Sequence, residues 1–265
     1  MPAPASTLDG WVRAPFTGGD LTYDCYRKGD GPGVMVIPEV PGISPEVLAF
    51  ADHVVAAGFT VVLPSLFGVP GKKVTAGYAV AVIGKLCVAK EMRAFATDAE
   101  RPISLFLRAL AADLNATTPG PGVGVVGMCF TGGFALATAV DASVLASVLS
   151  QPSVPFPIGA ARKKDLGLSP VETAAVQERT RDGLCVLGLR FSNDRALSKD
   201  RFDAYETAFG SAFEKIVLDS SKGNTGGYGQ AAHSVLTAEV RTDPDNSAAE
   251  ARDRVVAFLR AHVPA

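Results

Sequence analysis

Short apolar runs that recur between amphipathic stretches set the limits on what this chain can fold into. Val34-Met35-Val36-Ile37 ends at Pro38, Thr60-Val61-Val62-Leu63 ends at Pro64, and Val123-Gly124-Val125-Val126 ends at Gly127. Runs this short, apolar on both alternate faces, suit strands buried on both sides of a sheet. Helix signals lie between them. Ser44 is placed as an N-cap, Pro45 in the first turn, Val47, Leu48, Val54 and Val55 on one face, and Gly58 at the end. The same order continues along the chain. It predicts two strands and a turn over 10–28, helix over 102–114, helix over 132–140 and strand over 144–149. Helix over 170–182, strand over 184–191, helix over 199–209, strand over 214–218 and helix over 248–262 follow. Residues 64–71 read as a loop, and residues 72–98 as a loop with a helical stretch. Strands alternating with helices imply an α/β fold, a doubly wound, mostly parallel sheet with helices on both faces. No repeat and no linker divides the sequence, so one domain is expected over residues 1–265.

Composition narrows the function. A formal net charge of −2 without a basic cluster argues against a nucleic-acid partner. No apolar stretch approaches the roughly 18 residues of a membrane span, and the first residues, M-P-A-P-A-S-T, lack a basic start and an apolar core. A cytoplasmic protein with a small-molecule partner is expected, neither membrane-bound nor nucleic-acid-bound, as a monomer or small homo-oligomer. The cysteines Cys25, Cys87, Cys129 and Cys185 form no C-x-x-C pair and no zinc-like spacing with histidine. Cys25 and Cys185 lie in strand-like runs and read as packing residues.

In sheets of this kind, chemistry collects at the carboxyl ends of the strands. The polar residues there are Glu39 after the first parallel strand, Cys129 in Gly127-Met128-Cys129, Asp194 in F-S-N-D-R, and His233 in Q-A-A-H-S. Cys129 sits between a buried strand and the pair Gly132-Gly133, a place that matches a nucleophile elbow with Cys for Ser. Nucleophile, acid and base then follow in the order Cys129, Asp194, His233. The chemistry needs these types: a thiolate attacks far better than a thiol, a histidine takes and returns its proton, and a carboxylate fixes the imidazole tautomer. Backbone N–H groups of Phe130 and Val40 are the candidate oxyanion donors. His53 and His262, within helices, read as surface or helix-end residues. Two other readings stay open: a non-catalytic protein that binds a small ligand in the same pocket, and a thiol redox enzyme, which would need a second cysteine beside Cys129.

The segments V-M-V-I-P-E-V-P-G-I-S (34–44), G-F-T-V-V-L-P-S-L-F-G (58–68), V-G-M-C-F-T-G-G (126–133), F-S-N-D (191–194) and A-H-S (232–234) carry a resemblance. Over roughly residues 20–262 the chain resembles the dienelactone hydrolases, or carboxymethylenebutenolidases. The resemblance implies an α/β-hydrolase fold, hydrolysis of a lactone or ester through an acyl-cysteine, and no metal or organic cofactor. By position it makes Cys129 the nucleophile, Asp194 the orienter and His233 the base. It also makes Glu39 a carboxylate that touches the resting thiol and swings away when substrate binds. The family holds its substrate carboxylate with arginines, one of them shortly after the catalytic histidine; here Thr237 stands at that place. Arg241 lies one helical turn further on, and Arg93 and Cys87 lie in a segment that departs from the family. These three residues are the candidate substrate contacts.

Overall fold

The structure, a computed structural model, describes residues 3–241, 243 and 246–265. Its centre is an eight-stranded sheet in the order β1-β2-β4-β3-β5-β6-β7-β8. The strands are β1 (Val12–Gly18), β2 (Leu21–Lys28), β3 (Gly33–Ile37), β4 (Thr60–Pro64), β5 (Val123–Met128), β6 (Val144–Ser150), β7 (Cys185–Phe191) and β8 (Phe213–Leu218). β1 and β2 form an antiparallel hairpin, and β2 runs antiparallel to β4. From β4 to β8 every pairing is parallel. The apolar runs that opened the argument are β3, β4 and β5, and every residue in them is buried.

The helices cover both faces. They are α1 (Pro45–Ala56), α2 (Ala76–Val88), α3 (Pro102–Ala116), α4 (Gly132–Thr138), α5 (Ala160–Lys164), α6 (Pro170–Arg181), α7 (Lys199–Phe209) and α8 (Ser247–His262). One apolar layer holds Val47, Leu48 and Val54 of α1 and Val255 and Leu259 of α8. The other holds Phe106 and Leu110 of α3, Phe134 of α4, Val176 of α6 and Phe202 and Tyr205 of α7. Local chemistry sets the helix starts. The Ser44 hydroxyl accepts from the Val47 N–H, and Ser169 with Glu172 closes a reciprocal cap on α6. The ambiguous stretch 72–98 contains α2, capped by Thr75, followed by turns. The short helix α5 has no sequence signal, because it is a single exposed turn rich in Arg and Lys.

One polar device fixes the loop that follows β6. Arg201 of α7 is fully buried, and its guanidinium donates to the carbonyls of Pro152 (2.8 Å), Arg162 (2.7 Å) and Pro155. Arg101, also buried, donates to the carbonyls of Gly167 (2.6 Å), Ala96 (2.9 Å) and Ala99 (3.1 Å). Each cation thus ties several loop carbonyls that water cannot reach. Arg201→Met, which keeps the stem but removes the donors, is expected to lower unfolding stability by about 3 kcal/mol, because buried carbonyls lose their partners. The check is the urea midpoint at unchanged slope; an unaltered midpoint would mean that the loop is held by something else.

Candidate active site

β5 delivers the chain to a tight turn. Cys129 adopts φ 54, a left-handed conformation rare for a residue with a Cβ, and α4 starts three residues later. Strain of this kind persists where the surroundings fix it. Two glycines allow that closeness. A Cβ on Gly127 would lie 2.5 Å from the Thr131 carbonyl oxygen, and one on Gly132 would lie 2.6 Å from Pro152 Cα. Thr131 closes the turn. Its hydroxyl accepts from the Met128 N–H at 3.1 Å and lies within reach of three carbonyls that compete for its one proton, those of Met128 (2.9 Å), Ile37 (3.0 Å) and Pro38 (3.2 Å). Sequence reasoning missed Thr131, although a threonine before a glycine pair at a strand-to-helix turn carried the signal.

Asp194, at the end of β7, is buried and fixed by accepting the Ala196 N–H at 2.8 Å. His233 comes from the loop between β8 and α8, and its Nδ1 lies 2.6 Å from Asp194 Oδ2. Burial works against a charge on His233, but its interaction with Cys129 and the hydrogen bond to Asp194 outweigh it, so the imidazole is held well above its ordinary pKa. The Cys129 thiol also meets the Ser153 hydroxyl at 3.8 Å, and the Ser153 N–H donates to the Cys129 carbonyl at 2.9 Å. The structure brings Cys129, His233 and Asp194 to one place, and Ser153 is a neighbour that the sequence did not signal.

Glu39 is near, but its partners differ from the expectation. Its buried carboxylate accepts from the hydroxyls of Ser234 (2.9 Å) and Thr237 and from the Gln151 amide (3.2 Å). No hydrogen bond joins it to Cys129 among the described residues, so the expected contact with the resting thiol is not made. The physical reason is saturation: three neutral donors occupy the carboxylate. Burial pushes the Glu39 carboxyl up, while Thr237, His233, Ser234 and Gln151 pull against that. Gln151 itself adopts φ 38, a second strained residue beside the site. Thr237 therefore supplies Glu39 with a neutral donor.

The candidate substrate cations are engaged elsewhere. Arg93 donates to the Glu100 carbonyl at 3.1 Å. Arg241 donates to the carbonyls of Gly226 and Gly227, each at 3.3 Å, and lies over the Tyr228 ring at 4.9 Å. Both guanidinia tie down loop backbone. Cys87 is half-buried on α2. Val40, Phe67 and Phe156 pack, half-buried, against the same apolar layer as Cys129 and Phe130. His53 pairs with Asp253 at 2.9 Å, and His262 packs on Phe258, so both stand apart from the triad. All four cysteines are free, and burial pushes the Cys25 thiol up to about 12. Among the described residues no group of three or more His, Cys, Asp or Glu is arranged to hold a metal.

The chain matches the dienelactone hydrolase family over residues 22–263. It belongs to that family. No curated protein sequence matches it. Solved structures share its fold. A dienelactone hydrolase-like promiscuous phosphotriesterase from metagenomic libraries aligns with a TM-score of 0.63 at 18% identity, over 96% of this chain and 98% of that one. The dienelactone hydrolase from Anabaena variabilis aligns with a TM-score of 0.60 at 13% identity, over 96% and 98%. An esterase from Pyrococcus furiosus aligns with a TM-score of 0.56 at 13% identity, over 99% of each chain. At these identities the likeness shows the fold, which is that of the α/β hydrolases. Family and fold together mark this dienelactone hydrolase relative as a hydrolase.

The His233–Asp194 contact gives a prediction with a definite sign. A histidine whose pKa is raised by folding adds stability that is fully present below its unfolded value, about 6.5, and lost as pH rises through the folded value. Asp194→Asn removes one cause of the raise. The mutant is therefore expected to be less stable than the parent by the largest margin near pH 6, with the gap narrowing toward alkaline pH. Urea unfolding across that range measures it, and a gap that widened with pH would contradict the assignment.

Proposed function

We propose that this protein hydrolyses a lactone or ester through an acyl-Cys129 intermediate, with His233 as general base and acid and Asp194 as its orienter. The observation that carries the reading is a cysteine in a strained left-handed turn beside an imidazole that is raised in pKa and bonded at Nδ1 by a buried carboxylate.

His233 draws the thiol proton and leaves a thiolate, the reactive form of cysteine. The thiolate attacks the carbonyl carbon, and the carbonyl pair moves onto oxygen. The backbone N–H groups of Phe130 and Val40 are the proposed donors to that oxyanion. The imidazolium returns its proton to the leaving oxygen as the C–O bond breaks, which leaves a thioester on Cys129. Water then attacks the thioester while His233 takes its proton, and collapse expels the thiol with the carboxylic acid as product. Asp194 holds the Nδ1 proton throughout. Activity on carboxymethylenebutenolide itself is the finer form of this proposal, and placement in the reducing cytoplasm agrees with four free cysteines. Support for a ligand-binding protein without chemistry is weaker, because a strained cysteine with a hydrogen-bonded imidazole–carboxylate pair is costly to keep.

Glu39 is proposed as a fixed positioning residue rather than a swinging one. Its carboxylate bonds Ser234 and Thr237, one and four residues after His233, and Gln151 at the end of β6. It therefore holds the histidine loop against two strands.

The deciding experiment is the rate of Cys129 alkylation by iodoacetamide against pH, read by intact mass, with turnover of a panel of lactones and aryl esters. Cys129 is expected to react well ahead of Cys25 and Cys185, and Cys129→Ala to abolish turnover while leaving the fold intact. Full activity in Cys129→Ala would end the proposal. Glu39→Ala is expected to lower kcat by about 10²-fold through a displaced imidazole, with little change in KM; an unchanged kcat would remove Glu39 from the machinery.

A further inference from the structure

Exposed apolar side chains are concentrated in one segment. Of the eleven large ones among the described residues, six lie between residues 69 and 95: Val69 (56%), Val74 (46%), Val80 (70%), Ile83 (38%), Val88 (81%) and Phe95 (42%). At its centre, α2 buries only Val82 and Leu86, with Tyr78 packing half-buried against the core. On the face away from them, Val80, Ile83, Gly84 and Val88 recur at helical spacing and meet water. Lys85 is the one charged residue of the helix, and no acidic residue lies in it. Exposed apolar side chains concentrated in one segment in this way mark an interaction site.

Charge tells what it fits. The segment carries Lys72, Lys73, Lys85, Lys90 and Arg93 against the single carboxylate of Glu91, a local excess of four positive charges in a chain of formal net charge −2. Apolar side chains flanked by lysines match the interface of an anionic lipid layer, where the chains enter the headgroup boundary and the cations meet phosphate. A second copy fits poorly, because a twofold contact would press one cationic face onto the other. The surface also leads to the nucleophile. The Phe95 ring lies 5.4 Å from Phe156, and Phe156 lies 6.0 Å from Phe130, the residue next to Cys129. Phe67 reaches Phe130 at 6.3 Å, and the Tyr78 hydroxyl of α2 accepts from the Val69 N–H at 2.6 Å.

We infer that residues 69–95 form a docking face for an anionic lipid surface, from which an apolar ester reaches Cys129 along the rings of Phe95, Phe156 and Phe67. The docking stands on the surface alone, whereas the delivery of an ester rests on the hydrolase reading above. It places no segment across the bilayer; no helix among the described residues is long and apolar enough for that.

The test is cosedimentation of the full chain with vesicles of phosphatidylglycerol and phosphatidylcholine, compared with vesicles of phosphatidylcholine alone, at low and high salt. The wild type and Cys129→Ala are both expected to bind the anionic vesicles, and to lose binding at high salt. The doubly substituted Val80→Asp/Val88→Asp protein and the Lys72→Glu/Lys73→Glu protein are expected to bind at least tenfold more weakly. Their hydrolysis of a short water-soluble aryl ester should be unchanged, which also reports that they are folded. Absence of binding to either vesicle, or equal binding by wild type and variants, overturns the docking face. So does a concentration-dependent dimer in sedimentation velocity that Val80→Asp/Val88→Asp dissolves, since a second copy is then the occupant. If anionic vesicles bind but the wild type cleaves no soluble ester, the hydrolase reading fails and the docking face stands.

Discussion

The close approach of two backbones at the end of β5 is the constraint on which the rest of the site depends. Gly127 and Gly132 let the turn pack without a Cβ against Thr131 and Pro152. The Thr131 hydroxyl stitches that turn to the last carbonyls of β3 and of Pro38. This joins the two loops that supply the thiol and the candidate oxyanion donors. The stitch is buried, so its hydrogen bonds have no competing water. With the turn held this way, Cys129 keeps a left-handed conformation that a free chain would leave. Cys129 is thus placed by packing of its neighbours rather than by bonds to its own side chain.

From that fixed point the other parts arrive by separate routes. Asp194 comes with β7, His233 with the loop after β8, and Glu39 with the loop after β3. Buried polar side chains do the joining. Arg201 gathers the carbonyls of Pro152, Pro155 and Arg162, and so steadies the segment whose Ser153 touches the thiol. Glu39 gathers Gln151, Ser234 and Thr237, and so steadies the segment that carries His233. Each hub satisfies groups that would otherwise be buried without partners, and each therefore carries stability and geometry at once.

The parallel centre of the sheet was legible because β3, β4 and β5 are apolar throughout, and burial on both faces leaves no other composition. The candidate site was legible from residue type and strand-end position: Cys129, Asp194 and His233 stand where the alternation of strands and helices puts reactive groups. What escaped was everything set by tertiary contact. Thr131 and Ser153 are common residues whose roles arise only when strands β3, β5 and β6 lie side by side. The partners of Glu39 are separated from it by more than a hundred residues in sequence. The arginines misled because a loop carbonyl satisfies a guanidinium as well as a substrate carboxylate does, and the sequence does not say which is nearer. The segment 72–98 was ambiguous for a physical reason too. α2 buries only two residues, so its apolar pattern lacks the polar face that identifies a surface helix.

Thr237 brings a hydrogen bond to Glu39 without bringing a charge. Ser234, Thr237 and Gln151 hold the Glu39 carboxylate in place, while the raise on His233 comes from Cys129 and Asp194. The imidazole is accordingly set against the cost of burial by its own neighbours, Cys129 and Asp194.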